Sequence, residues 1–201
     1  MALSNASKAG IAIFVGTAQY ALFQVLSEVI YAAHGLNGYN ESTDYISNLG
    51  ADCSFSPCYI PPSALLFDTT VIVLGLFILV GAYYLQRAFH HKPTTVLIAL
   101  AGAGAVGVGV FPETAGVLHE LSSVVVFLFA GLSAVVSARF QRKVASLFSV
   151  ILGLITLLAL IAYLGGEYAG LGAGGMERIV VWPVLLWGVG FGGHLMAIES
   201  Q

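Results

Sequence analysis

One stretch of the chain gathers groups that can handle protons: Phe111-Pro112-Glu113-Thr114-Ala115-Gly116-Val117-Leu118-His119-Glu120-Leu121-Ser122-Ser123. Two carboxylates, an imidazole and two serine hydroxyls, with Thr114 beside them, meet there, at the junction of two strongly apolar segments. On a helix, Ser122 and Ser123 follow His119 by three and four residues and share its face, while Glu120 is turned about 100° away. His119 with the hydroxyls is therefore the inward candidate. Acting as a general base, His119 would be oriented by Glu113, with Arg178 stabilising a developing anion. These three are the catalytic candidates. No serine or cysteine nucleophile motif and no His-Glu-x-x-His helix accompanies them, so the spacing alone names no reaction.

A second polar set lies nearer the amino terminus. Thr17, Tyr20, Gln24, Glu28 and Tyr31 recur at steps of three and four, which puts them on one helical face. A carboxylate and an amide avoid hydrocarbon, so this stripe is expected to point into a bundle. With Asp68 it extends the ligand-binding candidates to Glu28, Gln24, Asp68, Glu113, His119, Ser123 and Arg178. The histidines offer different chemistry. His34 and His119 form a natural pair of axial ligands for a b-type haem, while His90, His91 and His194 gather near the opposite span ends.

What must position these groups follows from composition. The 201 residues are 58% hydrophobic and 8% charged, with mean hydropathy +0.92; soluble domains carry about 25% charged residues, so a soluble globular enzyme is excluded. A hydrocarbon layer of about 30 Å needs roughly 20 apolar residues per helix. The chain has room for six such spans in a single domain over residues 1–201: Gly10–Ala33, Phe67–Ala88, Thr94–Phe111, Val117–Ala138, Val144–Leu164 and Arg178–Ile198. Continuous apolar runs, rather than alternation, specify helices and not a membrane barrel. The first run is too long for the core of a signal peptide and reads as a retained span.

Basic residues orient the bundle. Lys8, Arg87, Lys92, Arg139, Arg142 and Lys143 share one end, which the positive-inside rule assigns to the cytoplasm together with both termini. Arg178 stands apart at the other end, in the company of Glu28, Glu41, Asp44, Asp52, Asp68, Glu113, Glu120, Glu167 and Glu177; Glu199 is cytoplasmic. The chain is thus expected in the cell membrane with its acidic loops extracytoplasmic. The longest connection, Gly35 to Leu66, is expected to hold a short lid helix, with Ser42 as N-cap and Gly50 just past its end. Cys53 and Cys58 lie in the same connection, where an oxidising compartment favours a disulfide between them. Gly102, Gly104, Gly107 and Gly109 in the third span, and Gly188, Gly190, Gly192 and Gly193 in the last, predict close helix contacts.

With these residues placed, the chain resembles an archaeal and bacterial membrane family known as domain of unknown function nine-nine-eight. The resemblance rests on Tyr45-Ile46-Ser47-Asn48-Leu49-Gly50, on Pro62-Ser63 with Phe67, on Phe111-Pro112-Glu113 with His119, and on Glu177-Arg178 with Trp187. It covers nearly all of the chain. It implies a six-helix fold with a polar outer end and brings no established reaction.

The leading functional reading is an outward-facing pocket of acids, His119 and Arg178 that binds a small ligand, a lipid headgroup or a metal. The alternatives are a haem-binding redox protein, a membrane-embedded hydrolase or transferase acting on lipid, and a subunit of a larger membrane complex. Membrane lipid, a small-molecule ligand and a second copy of the chain are the expected partners, and nucleic acid is not among them.

Overall fold

The computed structural model describes residues 2–34 and 38–198. Glu199 and the Gly35–Asn37 step of the first connection lie outside the described residues. Six helices form the fold: α1 Asn5–His34, α2 Ala64–Phe89, α3 Lys92–Val110, α4 Val117–Ser137, α5 Lys143–Leu164 and α6 Gly172–Met196. All six are long and apolar enough to cross a membrane. Each helix packs against its neighbours in sequence, and α6 closes the ring on α1. A contact between α4 and α6 leaves α5 on the outside. There its Leu147, Phe148, Leu158 and Ile161 are exposed, as suits a surface solvated by lipid chains.

Close approach is set by the glycines. A Cβ on Gly104 would lie 2.6 Å from Val126 N on α4, and one on Gly109 would lie 2.6 Å from Asp68 O on α2. Small residues thus let α3 sit between its two neighbours. On α6, Gly188 and Gly192 face Thr17 and Phe14 of α1, whereas Gly190 and Gly193 meet nothing within 4 Å. Only half of that glycine set serves packing.

Two expectations from the sequence change. α6 starts at Gly172, six residues before the expected boundary, because the first long connection caps it: Ser42 O accepts from Gly174 N at 3.0 Å and Gly175 N at 3.3 Å. Side chains at 172 or 174 would strike that connection, since a Cβ on Gly174 would fall 2.2 Å from Asp44 O. The lid helix from Ser42 to Gly50 is absent. The connection instead carries a single 3-10 turn, Ser47–Leu49, and Ser42 Oγ donates to Leu171 O at 2.7 Å rather than capping a helix of its own. Tertiary partners more than a hundred residues away took the groups that local propensity had assigned to a helix.

Because the helices alternate in direction, the nine acids among the described residues gather at one end with Arg178, and the other six cations gather at the opposite end. These are called the acidic and basic ends below. The acidic end carries the Cys53–Cys58 disulfide, closed beside the antiparallel bridge Asp52–Tyr59.

Candidate functional site

An elongated cavity runs down the middle of the bundle. It is lined by α1, α2, α3, α4, α6 and the first connection, and its volume is about 90 Å³. Most of its wall is aliphatic, with Val71, Leu74, Ile78, Ile98 and Val184 among the contributors. Polar groups concentrate at the acidic end, where Tyr20, Ser47, His119, Ser123 and Glu177 reach the lining. At the far end Trp187 lines the cavity and donates from Nε1 to Ser137 Oγ at 3.0 Å. It stacks on Phe191 at 5.4 Å between ring centroids. Ser133, fully buried, lines the same deep region, and its Oγ has no hydrogen-bond partner among the described residues.

His119 sits on the first turn of α4 and is 7% exposed. Pro112 ends the preceding backbone, so the Phe111 carbonyl finds no amide from a continuing helix. The imidazole takes its place, with Nδ1 donating to Phe111 O at 2.8 Å. Ser123, one turn further along, shares the cavity-facing side.

The roof of the cavity is the first connection, and two consecutive residues hold it. Glu177 accepts from the backbone N–H of Ile46 through Oε2, with the Ser47 N–H beside it. These are the amides that open the 3-10 turn, whose donors lack partners within the turn. Arg178 holds the carbonyl side of the same connection: Nη1 donates to Glu41 O at 2.9 Å and Asp44 O at 3.0 Å, and also to Gly174 O at 3.0 Å. Its Nη2 donates to Glu28 Oε1 at 3.0 Å and Tyr39 Oη at 2.5 Å. Burial pushes the Tyr39 hydroxyl above its ordinary pKa, so it stays protonated while accepting from the guanidinium.

The proposed ligand-binding residues therefore separate into two sets. His119 and Ser123 line the cavity. Glu28 and Arg178 form an ion pair that anchors the connection, outside the lining. Gln24 is fully buried beside Glu28, with Nε2 at 3.4 Å from Glu28 Oε1 and its own Oε1 without a partner among the described residues. Asp68 Oδ1 is likewise unpartnered and lies beneath Gly50. Glu113 does not touch His119; its Oε2 accepts from Asn48 Nδ2 at 2.9 Å. Burial raises the Glu113 carboxyl to about 7, the Asp52 charge adds to this, and the bonds from Asn48 and the Cys53 N–H oppose it.

His34 and His119 are not brought together. His34 is exposed, with Nδ1 donating to Ile30 O of its own helix at 3.0 Å. Two of the other histidines tie the basic end: His91 Nε2 accepts from Arg139 Nη1 at 2.5 Å, and His194 Nε2 donates to Phe140 O at 3.0 Å. Among the described residues no group of three or more His, Cys, Asp or Glu side chains is placed to hold a metal ion. Ser47, Ser133 and Glu177 line the cavity without having been among the expected ligand-binding residues, although Ser47 and Glu177 lie in stretches that carry the family resemblance. Glu177 had a signal, since it lies next to Arg178 at the head of the last span, but its backbone partners are 131 residues away.

A family model described as a protein of unknown function, DUF998, matches residues 14–194. The chain belongs to this family. That match covers the connection that roofs the cavity and every lining residue except Ile13, so in this DUF998 member nearly all of the site lies inside the matched region. The chain is accordingly a multi-pass membrane protein of that family. No curated protein and no solved structure matches it.

Proposed function

We propose that the bundle binds a single-chain amphiphile in its central cavity, with the tail among the aliphatic walls and the head at the acidic end. The observation that carries this reading is the polarity gradient along one continuous space: Tyr20, Ser47, His119, Ser123 and Glu177 at one end, mostly apolar side chains with Thr17 and Ser133 among them below, and Trp187 as the floor. Ligand sites are typically concave and apolar with a few convergent polar groups. From His119 to Ser133 is fourteen residues of α4, about 21 Å, which exceeds half of the roughly 30 Å hydrocarbon thickness. That is the depth an extended lipid tail would reach from the acidic end. The concentration of six cations at the basic end supports placing that end in the cytoplasm and the roof outside.

The test is extraction in mild detergent followed by native mass spectrometry and analysis of the released small molecules. A co-purifying single-chain lipid is expected. Ala105, which lines the cavity and is buried, offers the control: Ala105→Phe fills the space and is expected to lower occupancy at unchanged helical content. Occupancy equal to that of the wild type would remove the reading.

A second reading, chemistry on the bound head group, is favoured by His119 and Ser123 both reaching the lining one turn apart. It requires turnover of the co-purified molecule, lost in His119→Phe and Ser123→Ala. An unaltered molecule after incubation with the protein would leave binding as the function.

A further inference from the structure

We propose that the cavity's occupant carries a hydroxyl head group that donates to His119 Nε2, and that anionic heads are excluded. This rests on the amphiphile reading above and assigns the chemical class of the ligand.

The proton on the neutral His119 ring has one place to sit. Phe111 O can only accept, so the 2.8 Å contact fixes that proton on Nδ1. In the neutral ring Nε2 then keeps its lone pair. It makes no hydrogen bond to a described residue, on a side chain that is 7% exposed and lines the cavity. The polar end of the cavity therefore presents an open acceptor. The hydroxyls of Tyr20, Ser47 and Ser123 reach the same region and can donate or accept.

Charge narrows the choice. Among the described residues Glu177 is the one acid in the lining, and neither a lysine nor an arginine contributes to it. Arg178 is adjacent in sequence but donates to Glu41 O, Asp44 O, Gly174 O, Glu28 and Tyr39. A carboxylate or phosphate head would be buried beside Glu177 without a cation to pair with, which is strongly unfavourable. An ammonium head would find Glu177 already engaged by the N–H groups of Ile46 and Ser47 and would lose its hydration for partial compensation. A hydroxyl donates to Nε2, accepts from a neighbouring hydroxyl and desolvates no charge.

The full-length protein in detergent is titrated with an equimolar mixture of hexadecanol, hexadecylamine, hexadecanoic acid and hexadecyl phosphate, and each bound species is read by native mass spectrometry. Hexadecanol is expected to bind about tenfold or more tightly than each of the others, the effect of one buried hydrogen bond kept or lost. His119→Phe, which keeps a ring and removes the acceptor, is expected to weaken hexadecanol binding about tenfold, while the two anionic competitors stay excluded beside Glu177. Should this variant fail to fold, the ranking on the wild type still decides. Any of the three competitors binding as tightly as hexadecanol overturns the head-group assignment and leaves the amphiphile reading standing. Binding of none of the four overturns both.

Discussion

The two ends of this bundle solve different problems with similar residue types. At the basic end the connections are short, and several polar groups tie one helix to the next: His91 caps α3 and meets Arg139, His194 reaches Phe140 O, and Trp187 is fastened to Ser137. At the acidic end the long first connection has almost no regular structure of its own and is held by side chains of α6. There Glu177 takes the amides and Arg178 the carbonyls of one loop. The basic end is a seal, whereas the acidic end is a tethered roof with His119 left open beneath it. Charge alone does not distinguish these roles; what each group is bonded to does.

Substitutions at matched positions would break or sharpen this contrast. The largest effect is expected at the floor: Trp187→Ala removes a buried indole and its hydrogen bond, and such truncations cost about 3–5 kcal/mol. A thermal melt in detergent should show it, and an unchanged midpoint would mean that the floor is not packed as described. Next comes Arg178→Ala, which leaves loop carbonyls and Glu28 without their donor at about 2–3 kcal/mol. Arg178→Lys should recover only part of this, because an ammonium cannot reproduce the fork. Limited proteolysis within residues 39–49 should rise in both variants while the helices stay intact.

Glu113 gives a smaller, pH-dependent effect. Its carboxyl is raised to about 7 in the folded protein from the ordinary 4.5. The folded state therefore holds its proton more tightly than the unfolded state, and the associated stability is present below about pH 4.5 and lost as pH rises through about 7. Discounted for its half-exposed position, the effect is on the order of 1 kcal/mol. Glu113→Gln should flatten the melting midpoint between those limits, and an unchanged pH profile would show that Glu113 is not buried as described. The smallest change is expected from Arg139→Ala at the exposed His91 contact, less than about 1 kcal/mol. If it matched Arg178→Ala, the two ends would not differ in kind.

The fold was legible because hydrocarbon imposes one rule on every span, and six apolar runs obey it whatever surrounds them. His119 and Ser123 could be placed on one face because helical spacing is local. The roof was not legible. Ser42 has the residue type of an N-cap, yet its carbonyl and hydroxyl serve α6, and the Gly172–Gly175 run that permits this reads from sequence as a loose loop. Arg178 looked free to meet an anion because its carbonyl partners are backbone groups, which leave no mark in a residue pattern. Glu177 was hidden for the same reason.

Trp187 reports directly on how deep the bound tail reaches. In a Trp182→Phe background, hexadecanol brominated at the end of its tail is added to the protein in detergent and tryptophan emission is followed. Saturable quenching that Ala105→Phe abolishes is the predicted result, since the tail then ends against the floor. Quenching that merely tracks probe concentration in the micelle, identical in both proteins, would contradict an internal site.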